Sequence, residues 1–71
     1  MNIRKQFGKN VKALRKVKGL SQEAFGFEAD IHRTYISDIE RGFRNPSLEM
    51  IEKIAKSLGV TPGELIDYHN T

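Results

Sequence analysis

Twenty-three residues, Leu20 to Gly42 (LSQEAFGFEADIHRTYISDIERG), constrain this chain more than anything else in it. They read as two short helices joined by a tight turn, and the second of them is unusually polar. With Tyr35 to Arg41 wound at about 100° per residue, Ile36 and Ile39 fall on one side and Ile31 leads into them. Thr34, Ser37, Asp38 and Arg41 fall on the opposite side, with Arg33 at the first turn. A solvated helix face accounts for such residues in general. Two details point further. Arg33 puts a cation near a helix N-terminus, where the macrodipole disfavours it. Thr34 and Ser37 are short enough to let the helix lie close against a surface. A duplex major groove, about 12 Å wide, takes a helix with this mixture: an arginine for guanine, small groups beside thymine methyls, hydroxyls for phosphates.

Glu40 projects on the side of Ile36, toward the core, where an unpaired carboxylate is costly. It therefore needs a cationic partner from elsewhere in the chain. A first helix is expected from about Ile3 to Lys18. Ile3, Phe7, Val11 and Leu14 keep the four-and-three spacing of a buried stripe, with Val17 at its edge. Lys5, Lys9, Lys12 and Lys16 line the opposite face, either simply solvated or, near the helix ends, attracted to phosphate. Arg15 lies beside the apolar stripe rather than among the lysines, so it is predicted to pair with Glu40 between the first and third helices.

Gly19 ends the first helix and Leu20 anchors the connection in the core. Ser21 is a good N-cap for the second helix, with Glu23 near its positive end. Gln22 then stands beside free backbone N–H groups, a ready phosphate site. Phe25 and Ala29 face inward. Gly42 and Pro46 stop the third helix, and Arg44, Asn45 and Ser47 in the following segment are suited to holding a phosphate beside it. Phe43 either packs under this loop or stands exposed. A fourth helix begins near Ser47 and ends before Gly59, with Leu48, Ile51, Ile54, Ala55 and Leu58 inward. Glu49–Lys53 and Glu52–Lys56 are expected as i,i+4 surface pairs. Thr61-Pro62-Gly63-Glu64 is a capping box with proline at the first position. It opens a fifth helix that carries Leu65 and Ile66 and frays through Tyr68. The expectation is an all-α, compact five-helix bundle, one domain over residues 1–71 with its helix-turn-helix at 21–41.

Several function classes fall away. The 71 residues include no cysteine, so disulfides and thiolate metal sites are excluded. His32 and His69 are far apart and lack ligand-spaced neighbours, so no metal or cofactor is expected. There are no paired carboxylates for a cleft, no nucleophile with a base and no phosphate-cradling glycine loop, which argues against an enzyme. No apolar run approaches a membrane span and no signal peptide is read at the start, so a cytoplasmic chain with no membrane partner is expected. The formal charge is +3, but its distribution matters more. Seven cations and no anion precede Gly19, leaving the remainder at a formal −4. That asymmetry points to a polyanionic partner near the first helix.

These residues carry a family resemblance. The run Leu20-Ser21-Gln22-Glu23, Ala29, Ile31, Tyr35-Ile36-Ser37, Ile39-Glu40-Arg41-Gly42, Asn45-Pro46-Ser47-Leu48, Ile54-Ala55 and Leu58-Gly59-Val60 resembles the lambda-repressor/Cro-like (XRE) helix-turn-helix family over roughly residues 4 to 67. Within it, RTYISDIERGFRNPSL is most similar to restriction–modification controller proteins. The resemblance supports the Arg15–Glu40 pair independently and implies a transcriptional regulator that sets its third helix into the major groove of double-stranded DNA. It makes Arg33 the main base reader, with Thr34 and Ser37 on bases or adjacent phosphates. Asp38 either accepts from a cytosine amine or holds Arg41. Phosphate contacts are expected from Gln22, Tyr35, Arg41, Arg44, Asn45 and Ser47. A homodimer on a pseudopalindromic operator follows, with Met50, Leu65, Ile66 and Tyr68 as candidate dimer surface, some of which must instead be core, and RNA polymerase as a further partner if the protein activates.

Some positions depart from the family pattern. Gly26 stands where alanine is preferred, which is expected to loosen the second helix by about 1 kcal/mol. Asp30 replaces the turn glycine, His32 replaces a capping Ser or Thr, and Phe27 is apolar at a usually solvated position. The alternative reading is a protein-interaction adaptor or antirepressor that uses Phe27 and Phe43 on the same fold. The retained set of Gln22, Arg33 and Arg44 argues against it.

Overall fold

The computed structural model describes residues 2–67, so Tyr68 lies outside the described residues. Five helices follow one another: α1 (Ile3–Val17), α2 (Gln22–Ala29), α3 (Arg33–Glu40), α4 (Leu48–Leu58) and α5 (Pro62–Ile66). No strand occurs among the described residues, and none of the helices is long and apolar enough to cross a membrane.

Each helix starts on a side-chain acceptor, which supplies partners for backbone N–H groups that lack an intrahelical one. Asn2, Ser21, Ser47 and Thr61 serve α1, α2, α4 and α5, and Thr61 with Glu64 completes the expected capping box. His32 caps α3 as well: its Nδ1 accepts from the Thr34 N–H at 3.1 Å. An accepting Nδ1 leaves the imidazole proton on Nε2, so the residue that breaks the Ser/Thr pattern still performs the capping role.

The core is built from Phe7 and Val11 of α1, Phe25 and Ala29 of α2, Ile36 and Ile39 of α3, Ile54, Ala55 and Leu58 of α4, and Leu65 of α5, with Ile31 from the turn. Burying such side chains contributes about 1.5–3 kcal/mol each, and α2, α3 and α5 are too short to persist without it.

The α1 stripe differs from its expected form. Ile3 is 56% and Val17 83% exposed. The buried positions are Phe7, Gly8, Val11 and Arg15, so the inward face is turned toward α3. Gly8 permits this: a Cβ there would collide with the Ile39 carbonyl oxygen and lie 2.8 Å from the Glu40 carbonyl oxygen. α1 thus meets the end of α3 backbone to backbone. Leu48, expected inward, is 80% exposed because it occupies the first position of α4, where no helix stands over it.

Of the described candidate dimer-surface residues, some of which had to be core, Leu65 is the fully buried one. α5 packs on both α1 and α4, and Asn10 fastens its end by donating from Nδ2 to the carbonyls of Leu65 (2.8 Å) and Asp67 (2.9 Å). Lys53 makes no surface pair with Glu49, nor Lys56 with Glu52. Lys53 reaches across to the turn, donating to the Asp30 carbonyl at 3.0 Å, with the Asp30 carboxylate 4.0 Å away.

That turn is closed by residues that depart from the family pattern. Asp30 takes the left-handed conformation (φ 57°, ψ 46°), which aspartate tolerates better than most residues. The Ile31 N–H then donates to the Gly26 carbonyl at 2.8 Å, and a Cβ at Gly26 would lie 2.5 Å from the Ile31 carbonyl oxygen. Gly26 is therefore a requirement of the turn rather than a weak point in α2.

Gly8→Ala should test the α1–α3 approach. Alanine favours a helix by about 1 kcal/mol over glycine, yet the collision with backbone should give a net loss of about 1–3 kcal/mol, as overpacking does. Urea unfolding of the two proteins measures it; a stabilised variant would mean that the helices separate at little cost.

Candidate nucleic-acid interface

The third helix is held by a buried ion pair. Arg15 Nε donates to Glu40 Oε2 at 2.7 Å and its terminal nitrogen to Oε1 at 3.0 Å, a two-pronged contact whose side chains are 8% and 3% exposed. The other Arg15 terminal nitrogen donates to the Leu20 carbonyl at 2.7 Å. Gln22 Nε2 adds a third donor to Glu40 Oε1 at 3.1 Å. One carboxylate on α3 is thereby tied to α1 and to the first residue of α2, and one guanidinium to the α1–α2 connection. Hydrogen bonding to Glu40 raises the Arg15 pKa above the ordinary arginine value; burial opposes this and the charge of Glu40 adds to it. A cation whose folded pKa is raised stabilises the fold below its unfolded pKa and loses that contribution only as pH rises through the folded one. For Arg15 this window lies above ordinary arginine titration, so its charge persists at any working pH.

Gln22 was expected at a phosphate, and its amide nitrogen is engaged inward on Glu40. Ser21 caps the Ala24 N–H, which leaves those of Gln22 and Glu23 open at the positive end of the helix dipole. Gln22, Arg33, Thr34, Ser37, Asp38 and Arg41 line one shallow concavity. The sequence-derived base and phosphate candidates of α2 and α3 are thus brought together on one face.

Arg33 and Thr34 are exposed at the start of that face, and Ser37 is half-buried further along it. The Arg33 side chain has no hydrogen bond or ion pair among the described residues, so its guanidinium is free to engage a ligand. Asp38 is different. Its Oδ1 accepts from Arg41 at 3.1 Å and its Oδ2 from Arg44 at 3.2 Å. Of its two expected roles, holding Arg41 is the one the structure shows, with Arg44 added.

Both arginines also lie over rings. Arg41 sits 4.7 Å from the Phe43 centroid and Arg44 5.0 Å from that of Tyr35. Such stacking keeps a guanidinium oriented while its N–H edges stay available. Tyr35 is half-buried against the core and supports Arg44. Phe43, whose packing the sequence left open, is 65% exposed beneath Arg41. Asn45 and Ser47 are exposed in the α3–α4 connection, and the Ser47 hydroxyl oxygen accepts from Met50 N–H. The hydroxyl proton of Ser47 remains for another acceptor.

The candidate dimer residues are dispersed. Leu65 is core, Met50 packs partly against the core, and Ile66 is at the surface. Sequence reasoning missed Ile3 and Leu48, because both kept an apolar spacing that read as inward. Two adjoining depressions share Ile51 and Ile66; Ile3, Arg4, Phe7, Asn45 and Pro46 also line one, and Leu48, Glu49, Glu52 and Pro62 the other.

Comparison with known proteins places the chain. A family model described as Helix-turn-helix matches residues 11–65. Control protein C.BamHI of Bacillus amyloliquefaciens is 59% identical over 68 residues, covering 94% of this chain and 84% of that protein. The crystal structure of the restriction-modification controller protein C.AhdI from Aeromonas hydrophila superposes with a TM-score of 0.83 at 44% identity, over 87% of this chain and 94% of that one. SinR, of Bacillus subtilis and solved as the master regulator for biofilm formation in complex with DNA, gives a TM-score of 0.82 at 35% identity, over 86% of this chain and 98% of that one.

Removing one side of the buried pair should be severe. Glu40→Gln leaves the Arg15 charge uncompensated and should cost about 3–5 kcal/mol, read from denaturant midpoints. Arg15→Met combined with Glu40→Leu should be destabilised by less than the two single changes together. Strict additivity would mean that the two groups do not act as a pair.

Proposed function

The chain belongs to the XRE-type helix-turn-helix family, and on that premise we propose that it is a sequence-specific regulator of transcription, of the controller or repressor type, that binds double-stranded DNA. The observation that carries this reading is the exposed face of α3, where unpartnered Arg33 with Thr34 and Ser37 adjoins the α2 N-terminus in one concavity. Arg33 has the reach and donor geometry to take the acceptors of a guanine edge. The open N–H groups at Gln22 and the ring-supported Arg41 and Arg44 suit phosphates on either side of a groove, with Asn45 and Ser47 beside them. In this reading Asp38 sets the two arginines in place rather than touching a base. SinR, whose fold this chain shares, is a protein solved with DNA.

A single domain of this size reads few base pairs, so a two-fold dimer on a pseudopalindrome is part of the proposal. Ile3, Leu48, Ile51 and Ile66 form the apolar surface suited to it, next to Asn45 of the phosphate loop. That position puts the dimer axis beside the groove contacts, as two half-sites one helical turn apart require. A cytoplasmic location, the absence of enzymatic activity and a contact with RNA polymerase if the protein activates belong to the same reading. The adaptor alternative draws on Phe27, 89% exposed on the outer side of α2. Its second contact, Phe43, is already covered on one face by Arg41.

Selection from random duplex DNA at physiological salt should enrich a two-fold symmetric motif. On that motif Arg33→Ala should lose about 1–3 kcal/mol and relax preference at one position per half-site; equal weakening on every sequence would reassign Arg33 to phosphate. Leu48→Asp should shift the protein to monomer in sedimentation equilibrium. An unchanged sedimentation profile would move the dimer surface elsewhere.

A further inference from the structure

The cations of α1 are the largest charged feature that the groove contacts leave unused. Lys5, Lys9, Lys12 and Lys16 are exposed, and none makes a hydrogen bond or ion pair through its side chain among the described residues. At i, i+4, i+7 and i+11 they share one side of the helix, where like charges one turn apart repel. Lys18 differs, since its Nζ donates to the Ser57 carbonyl at 3.3 Å. α1 also has no acidic residue with which to offset the row. Nothing within the described fold repays the concentration of charge.

The row is placed against the candidate interface. A Cβ on Gly42, the residue that turns the chain out of α3 at φ 78°, would lie 2.6 Å from Lys5 Cγ and 3.1 Å from Lys5 Cα. Lys5 therefore borders the start of the loop that carries Arg44 and Asn45. Gly8 abuts the last carbonyls of α3 and Arg15 holds Glu40. Lys12 lies one turn after Gly8 and just under one turn before Arg15, on the same flank. The positive surface of α3 and its loop thus continues sideways onto α1 through Lys5 and Lys12.

We propose that Lys5 and Lys12 of α1 form a second phosphate-contacting surface, which takes the sugar-phosphate backbone of duplex DNA flanking the base pairs read by α3. This rests on the DNA-binding reading and extends its footprint. Charge complementarity and continuity with the α3 face at Gly42 select the occupant. The contact carries no base information, because an exposed lysine meets only phosphate oxygens there. It raises affinity for any sequence and leaves the choice among sequences to Arg33 and its neighbours.

The test compares wild type, Lys5→Gln with Lys12→Gln, and Lys5→Arg with Lys12→Arg on the selected duplex and a scrambled one, over a salt series. Each lost phosphate contact should make the slope of log K against log salt shallower by about 0.9, which is roughly fivefold in affinity per lysine and protomer near 150 mM salt. The glutamine variant should lose the same factor on both duplexes, and the arginine variant should retain wild-type binding. Lys56→Gln, an exposed change on α4, removes one charge and should leave the slope unchanged; half the double variant's change there would make the effect one of net charge and overturn the surface. Thermal unfolding at the same salt should show the glutamine variant at least as stable as wild type. Wild-type affinity and slope in the glutamine variant, with Arg33→Ala still relaxing preference, would overturn the lysine surface alone. Failure of wild type to bind any duplex would overturn it together with the DNA-binding reading.

Discussion

The Arg15–Glu40 contact fixes where the α3 face stands relative to everything else. Its two-pronged geometry admits one orientation of guanidinium against carboxylate. Since Glu40 ends α3 and Arg15 lies in the last turn of α1, that orientation sets the crossing of the two helices. The remaining Arg15 donor on the Leu20 carbonyl and the Gln22 amide on Glu40 extend the constraint into the start of α2. Replacing a buried pair by apolar groups is often neutral for stability. The physical return on these charges is therefore positional: hydrocarbon packing at the same site would permit a small rotation of α3 that directional hydrogen bonds do not.

A second electrostatic layer, on the surface, follows a different logic. Asp38 is 18% exposed as a side chain and binds two arginines whose side chains are 60% and 49% exposed. Pairs in such surroundings contribute about 0–1 kcal/mol, so stability does not explain them. Each arginine is also supported by a ring, Phe43 for Arg41 and Tyr35 for Arg44. The combination restricts flexible side chains before any ligand arrives, which lowers the ordering cost of binding. The carboxylate and a phosphate compete for the same N–H edges, so the arrangement favours ligands charged strongly enough to displace or share them.

The five helices, the Ser21 and Thr61 caps and the buried pair were readable from spacing and from residue chemistry. Apolar periodicity, glycine punctuation and the cost of burying Glu40 all act locally along the chain. What escaped was set by neighbours in space. Gly8 lies mid-helix, where periodicity assigns a glycine no role, but it marks the point where two backbones touch. Asn10 stands between Phe7 and Leu14 at helical spacing, a signal that a polar side chain near the core needs a partner, and that partner is 55 residues away. Leu48 and Leu65 carry the same side chain on neighbouring helices, yet the first is exposed and the second buried, because a first-turn residue of α4 has nothing above it while α5 is pressed between two helices. At the interface, helical periodicity set Arg33, Thr34, Ser37 and Asp38 on one side of α3, beside Gln22; the attachment of Arg44 to Asp38 and Tyr35 depends on the path of the loop, which no periodicity describes.

The turn between α2 and α3 shows why substitutions should not be weighed one at a time. Judged singly, Gly26 weakens a helix, Asp30 enters a conformation that suits glycine, and His32 supplies a less common cap. Together they form one solution. The left-handed Asp30 brings the Ile31 carbonyl over residue 26, where only a hydrogen fits. Lys53 from α4 donates to the Asp30 carbonyl and faces its carboxylate, a compensation that a glycine at 30 could receive only in part. His32 then accepts the Thr34 N–H and sets the axis on which Arg33 emerges. The cost of each departure is conditional on the others, and restoring the common residue at one position alone, alanine at 26 above all, would meet a turn already shaped to exclude it.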